Sequence, residues 1–133
     1  MKLKLITAGL VVILALSLFA CSAPPKQVSV DEAYAGKEVE INAVDTLVVT
    51  LVSNPSTGFR WVLSGITDQT VLKQDGESEY VPPEGELLGA NGKEVWTFKA
   101  LKKGTSTISM AFSRPWEGGE EKFKTFNVTV IVK

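Results

Sequence analysis

From Glu38 to Val132 the chain is patterned with a period of two, and that alternation excludes most other folds for a chain of this size. Val39 and Ile41 alternate with Glu38, Glu40 and Asn42; Trp96, Phe98 and Ala100 alternate with Thr97 and Lys99; Ile108, Met110 and Phe112 alternate with Ser109 and Ala111. Successive side chains of a strand point to opposite faces, so each of these runs has one apolar face to bury. Leu47 to Val52 and Phe59 to Leu63 are β-branched and aromatic in character, and Val71 to Tyr80 holds a weaker strand. In the last run, from Lys122 to Val132, Phe126, Val128, Val130 and Val132 share a face while Phe123 has the opposite parity. That mismatch predicts a bulge or change of face near Lys124 or Thr125. No 3.6-residue pattern is sustained over this region. Asp31-Glu32-Ala33-Tyr34 suffices for one helical turn before Gly36, and Asp75-Gly76 and Lys103-Gly104 are turn signals. Seven to eight short strands in about 110 residues predict an all-β protein, an immunoglobulin-like β-sandwich.

The first residues have a different character. Lys2 and Lys4 precede an uncharged apolar stretch from Leu5 to Ala20, the layout of a secretory signal and shorter than the about 20 residues that span a bilayer. The stretch ends in Leu18-Phe19-Ala20-Cys21, which resembles a bacterial lipobox, with a small residue before the cysteine to be lipidated. The alternative is an ordinary cleaved signal and a free secreted domain, but Leu18 is a poor fit to the small residue an A-x-A-like site wants. The sequence thus predicts a lipoprotein signal over 1–20, a lipidated Cys21 with a stiff Pro-containing tether over 21–27, and a domain over 28–133. The product would be extracytoplasmic and anchored to a membrane through its acyl chains.

Composition then narrows the chemistry. Of the 14 basic residues Lys2 and Lys4 leave with the signal, so 12 face all 15 acidic ones and the formal charge is −3. No basic cluster is present of the kind that displaces phosphate counterions, so nucleic acid is not an expected partner. There is no His, and Cys21 is the single thiol. His-based catalytic triads, Cys-His pairs and His-ligated metals are therefore ruled out, and no cofactor is expected. Carboxylates at Glu77, Glu79, Glu84 and Glu86, and at Glu117, Glu120 and Glu121, read as solvated loop surface rather than as an acid–base pair.

Three loop-type segments interrupt the alternation. In Asn54-Pro55-Ser56-Thr57-Gly58-Phe59, Pro55 fixes its own φ and biases Asn54 to extended backbone, and Gly58 can supply a positive φ. A rigid, protruding loop with Ser56 and Thr57 at its tip is predicted. Gly89-Ala90-Asn91-Gly92 is small enough for close backbone approach, with Asn91 able to take a left-handed φ. Arg114-Pro115-Trp116 sets an Arg and a Trp, the side-chain types enriched at binding hot spots, in a Gly-flanked loop. Taken alone, the first two read as turns, and the bland alternative for the third is Trp116 folded back over a sheet edge with Arg114 paired to Glu117 or Glu120.

Together and in this order the three segments resemble the chagasin-like family of cysteine-peptidase inhibitors, whose loops carry NPxTGF, GxGG and RPW or RPF motifs. Asn91 stands where that pattern has Gly. The resemblance covers the domain after the tether, and the first motif is the most specific. It implies a monomeric, reversible, non-covalent inhibitor of papain-like cysteine peptidases and not an enzyme. By that resemblance Pro55, Thr57 and Gly58 form the wedge of the first loop, Gly89 and Gly92 make main-chain contacts, and Arg114 and Trp116 pack on the opposite wall, with Asn54, Ser56, Ala90, Asn91 and Pro115 completing the surface. Phe59 is expected at the loop's base as an anchor into the core. The three loops are expected to emerge at one end, after the second, fourth and sixth strands. The rival reading is an envelope lipoprotein of the same fold that binds a carbohydrate or another envelope protein, since such folds host many functions.

Overall fold

The computed structural model describes residues 24–85, 89–114 and 122–133; Cys21, Pro115, Trp116, Glu86, Glu117, Glu120 and Glu121 lie outside them. Among the described residues nine strands form two facing sheets: β1 (Gln27–Val30), β2 (Lys37–Ile41), β3 (Thr46–Ser53), β4 (Arg60–Ile66), β5 (Leu72–Gln74), β6 (Glu79–Val81), β7 (Gly92–Ala100), β8 (Gly104–Ser113) and β9 (Lys122–Val132). One sheet runs β1-β3-β7-β5, with β6 also paired to β7, and the other runs β2-β9-β8-β4. The immunoglobulin-like sandwich is thus as expected, with one or two strands more. The added strands are short. The weak run over Val71 to Tyr80 resolves into β5 and β6, separated by the turn at Asp75-Gly76, and β1 begins at Gln27, inside what the sequence reads as tether.

The core follows the alternation. Leu47, Val49 and Leu51 of β3, Trp96, Phe98 and Ala100 of β7, Ile108, Met110 and Phe112 of β8, and Phe126, Val128, Val130 and Val132 of β9 are buried between the sheets. Each fully buried Val, Leu, Ile, Phe or Met contributes about 1.5–3 kcal/mol relative to exposure. The bulge in the β8–β9 ladder falls one residue before the predicted place: Phe112 pairs with Lys124 and Ser113 with Lys122, so Phe123 is the extra residue. Inserting one residue there lets Phe126 and its partners keep inward parity. The single turn at Glu32–Tyr34 forms as a 3-10 turn, with the Asp31 carboxylate accepting from the Ala33 N–H.

Pairing fixes which loops share an end. β1 runs parallel to β3, Gln27 beside Thr46, and β3 is antiparallel to β7, Ser53 beside Gly92. Arg60 at the start of β4 lies beside Ser113 at the end of β8. The first two motif loops and Arg114, where the third begins, therefore lie at one pole, while Lys26, Asp45 and Lys133 gather at the other, where the Lys26 N–H reaches the Asp45 carboxylate. The loops follow the third, sixth and eighth strands rather than the second, fourth and sixth. The count is displaced by β1, too short to show a period-2 signal, and by the division of the Val71 to Tyr80 run into β5 and β6.

Candidate peptidase-binding pole

Loop 54–58 is one 3-10 turn, Pro55–Thr57, built largely by its own side chains. Asn54 is extended (φ −133°), its side-chain oxygen accepts from the Ser56 N–H at 3.2 Å and from the Ser56 hydroxyl, and Pro55 occupies the first helical position, where no N–H is needed. The Thr57 hydroxyl donates to the Asn54 carbonyl at 2.7 Å. Gly58 ends the turn at φ +84°, a conformation that would strain any side chain larger than hydrogen. Pro55, Ser56 and Thr57 are exposed at the tip. Each local expectation for this loop is met.

The neighbouring loops are tied to it. The Asn54 side-chain amide donates to the Gly89 carbonyl at 3.1 Å, and the Arg114 guanidinium donates through Nε and Nη2 to the Thr57 carbonyl at 3.3 and 3.1 Å. Arg114 also lies over the Phe59 ring, 4.4 Å from its centroid, a cation–π arrangement. Arg114 thus braces loop 54–58, a role that sequence reasoning missed because Arg114 and Thr57 lie far apart in the chain. Phe59 is half-buried against the core, as expected of an anchor, and stacks on Phe112 at 5.4 Å. Trp61 sits 5.2 Å from Phe112 and meets Phe126 edge-on. Lys124, noted in the sequence only as marking a bulge, caps this aromatic group 4.9 Å from Phe112 and 5.3 Å from Trp61. A cleft of about 420 Å³ opens between the loops, bordered by Asn54, Thr57, Phe59, Asn91, Arg114 and Lys124 among others.

The second loop differs from expectation in detail. Asn91 has a negative φ: among the described residues Val44 is the only non-glycine with a positive value, and Gly89 (φ +78°) takes the left-handed position. The shape of this loop is set by Gly89, so Asn91 is under no backbone pressure to be Gly. Gly92 is not a loop residue but the first of β7, buried, and a Cβ there would stand 2.4 Å from the Tyr80 hydroxyl and 2.5 Å from the Val81 carbonyl oxygen. Its smallness admits Tyr80 of β6 across the strand. Ala90 is half-buried beside it. Pro115 and Trp116 lie outside the described residues, so the third loop is represented here by Arg114.

A family model described as "Chagasin family peptidase inhibitor I42" matches residues 40–130. The chain belongs to the chagasin family. It is 33% identical over 102 residues to Amoebiasin-2 of Entamoeba histolytica, covering 77% of this chain and 80% of that protein. To Chagasin of Trypanosoma cruzi it is 31% identical over 101 residues, covering 74% of this chain and 92% of the relative. In fold it resembles the crystal structure of the cysteine protease inhibitor EhICP2 from Entamoeba histolytica, with TM-score 0.69 at 23% identity over 84% of this chain and all of that one. PbICP-C, solved in complex with falcipain-2, matches with TM-score 0.54 at 21% identity over 82% of this chain and 91% of the other. A chagasin family member is a peptidase inhibitor and not an enzyme, and Glu77, Glu79 and Glu84 are exposed, as solvated surface carboxylates are.

Proposed function

We propose that this chagasin family inhibitor blocks papain-like cysteine peptidases reversibly and without covalent chemistry, by seating loop 54–58 in the active-site cleft. The observation that carries this reading is the three-loop assembly: a rigid turn bearing exposed Pro55, Ser56 and Thr57, held from one side by Gly89 and from the other by Arg114. Because the turn is already ordered, little conformational freedom is lost on docking. Ala90 and Asn91 flank one side of the wedge and Arg114 the other, and the family motif assigns Pro115 and Trp116 to the same contact as Arg114. Protease–inhibitor interfaces bury about 1,600 Å² in total, an area three adjoining loops can cover. Occlusion requires no catalytic group, which fits a chain without His.

The second part of the proposal concerns place: the mature protein is lipidated at Cys21 and held at an extracytoplasmic membrane face. It is supported by the signal-like stretch ending in the lipobox-like Leu18-Phe19-Ala20-Cys21 and by the position of Lys26, at the pole opposite the loops. Fatty-acid labelling in cells tests it: label lost in Cys21→Ala is expected, and label retained there would overturn it.

Inhibition constants against several papain-like peptidases test the first part, with Thr57→Ala and Trp116→Ala as binding variants. Trp116→Ala is expected to weaken inhibition by about thirtyfold, corresponding to about 2 kcal/mol, with an unchanged melting temperature. Trp96, buried in the core, is the control: Trp96→Ala should cost about 3–5 kcal/mol of stability. Absence of inhibition at micromolar concentration across the panel would overturn the mechanism and favour the envelope-binding alternative.

A further inference from the structure

Along β7 the inward positions are Gly92, Glu94, Trp96, Phe98 and Ala100, so Glu94 is a carboxylate on the core face, only 8% exposed. A side chain there is expected to be apolar, since burying a charge is costly unless hydrogen bonds compensate. Its Oε2 accepts the main-chain N–H of Trp61, in the opposite sheet, at 2.9 Å. The Trp61 indole N–H returns the connection, donating to the Val52 carbonyl at 3.0 Å, and the Val52 N–H donates to the Glu32 carboxylate. Val52 is two residues before Asn54 and Trp61 two residues after Phe59, so these bonds tie both stems of the loop to each other and to the sheets on either side.

Behind the loop there is little packing to do the same work. A cavity of about 210 Å³ lies there, lined by Ser53, Pro55, Arg60, Ser78, Tyr80 and Glu94. Ser53, 1% exposed, has a hydroxyl that finds no hydrogen-bond partner among the described residues. On this side the loop is backed by open space, so its position there depends on polar ties added to the Phe59–Phe112 contact at its base.

We propose that Glu94 is a positioning residue for inhibition: buried and out of a peptidase's reach, it sets the pose of loop 54–58 through the Trp61 N–H. The inference rests on that loop being the wedge, and adds which residue holds it. An apolar residue at this position would pack well and leave the Trp61 N–H without its acceptor.

The test uses Glu94→Ala, Glu94→Gln and Trp61→Phe, each checked by circular dichroism to be folded at the assay temperature. Amide hydrogen exchange of Ser56, Thr57 and Gly58 is read alongside the inhibition constant. Glu94→Ala is expected to speed exchange at those three amides while Val128 and Val130 of β9 stay protected, and to raise the inhibition constant about tenfold as preorganisation is lost. Glu94→Gln, which keeps an acceptor oxygen, should restore both readouts to within about threefold of wild type. Trp61→Phe keeps an aromatic ring and the main-chain N–H but removes the indole N–H that reaches the Val52 carbonyl, together with part of the ring that packs on Phe112 and Phe126, so a smaller rise of the same kind is expected.

A folded Glu94→Ala with wild-type exchange and inhibition would overturn the proposal, as would a Glu94→Gln as impaired as the alanine variant. Should Glu94→Ala not fold, Glu94→Leu, which fills the volume and still removes the acceptor of the Trp61 main-chain N–H, takes its place, and wild-type exchange and inhibition in that variant would overturn the proposal. The exchange measurement needs no peptidase, so a wild-type protein that inhibits nothing would count against the inhibitory wedge and leave the positioning of the loop separately tested.

Discussion

The two ends of β3 carry turns built on the same device and finished differently. At the far end, before the strand, the Asp45 side chain accepts main-chain N–H groups from Lys26 and Asn42, both at 2.9 Å; at the other, the Asn54 side chain accepts from Ser56. At the far end the acceptor is a carboxylate, 4% exposed, and the left-handed position is filled by Val44 (φ +70°), a β-branched residue half exposed to solvent. At the loop pole the acceptor is neutral and the left-handed position is filled by Gly58. The first turn is therefore tied by a buried charge and bears backbone strain, whereas the second is unstrained and its own bonds are made by neutral groups. A tie to the fold and a surface meant for a partner call for different chemistry.

The largest effect that can break this contrast is loss of Asp45. Asp45→Ala leaves two main-chain donors without their acceptor and should lower unfolding stability by about 2–3 kcal/mol, with no change in inhibition at a temperature where the variant is folded. Chemical denaturation and an inhibition assay check both halves. A change in inhibition would mean that the two ends are coupled and the contrast is false.

Next is Arg114→Ala, which removes the bonds to the Thr57 carbonyl and the contact over Phe59. It is expected to weaken inhibition about tenfold, corresponding to about 1.4 kcal/mol, with a melting temperature close to wild type. If stability falls as much as for Asp45→Ala, the loop pole is holding the fold together after all.

Acid gives the third test. The main-chain bonds from Lys26, then that from Asn42, hold the Asp45 carboxyl below the usual aspartate value of 3.8, against the opposing effect of burial, with the Lys26 charge adding to the lowering. A group whose folded pKa is depressed contributes stability that is full above its unfolded pKa and is lost as pH falls through the folded one. The Asp45 contribution should thus persist down to about pH 4 and fade below it. Denaturation midpoints from pH 6 to pH 2.5 are expected to drop less steeply in Asp45→Asn than in wild type over the acid end. Asp68, whose carboxyl is lowered chiefly by bonds from the Thr70 side chain and main chain, adds a parallel trend that the Asp45→Asn comparison subtracts.

The smallest effects concern backbone strain. Val44→Gly should raise stability, relief of a left-handed valine of about 1–2 kcal/mol being partly offset by the greater freedom of Gly in the unfolded chain. Asn91→Gly has no positive φ to relieve and should change stability by less than about 1 kcal/mol in the unfavourable direction. Melting curves rank the pair, and a stabilising Asn91→Gly would contradict the assignment of the left-handed position to Gly89.

The inward faces were legible because a strand reports its burial every second residue: Leu47, Val49 and Leu51, or Phe126 to Val132, need no partner to be recognised. Loop 54–58 was legible for a different reason, its shape being dictated within six residues by Asn54, Pro55 and Gly58. What escaped depends on residues far apart in the chain. Arg114 meets Thr57 across 57 positions, and Glu94 meets Trp61 across 33. Glu94 did leave a trace, a charge on the parity of Trp96 and Phe98, but a charged residue near a strand end is read as surface by default. β1 escaped because four residues after Ala-Pro-Pro-Lys carry too little pattern, and its parallel partner is not adjacent in sequence.

That parallel pairing has a mechanical consequence. If the chain is anchored through its tether while a peptidase grips loop 54–58, tension enters at Gln27, the start of β1, and at Ser53, the end of β3. The two strands run side by side in one direction, Gln27 beside Thr46 through to Val30 beside Val49. Such a load slides the strands along each other and stresses their hydrogen bonds together, instead of peeling them apart one by one. A pulled inhibitor should let go of its target before its anchored strand is stripped from the sheet.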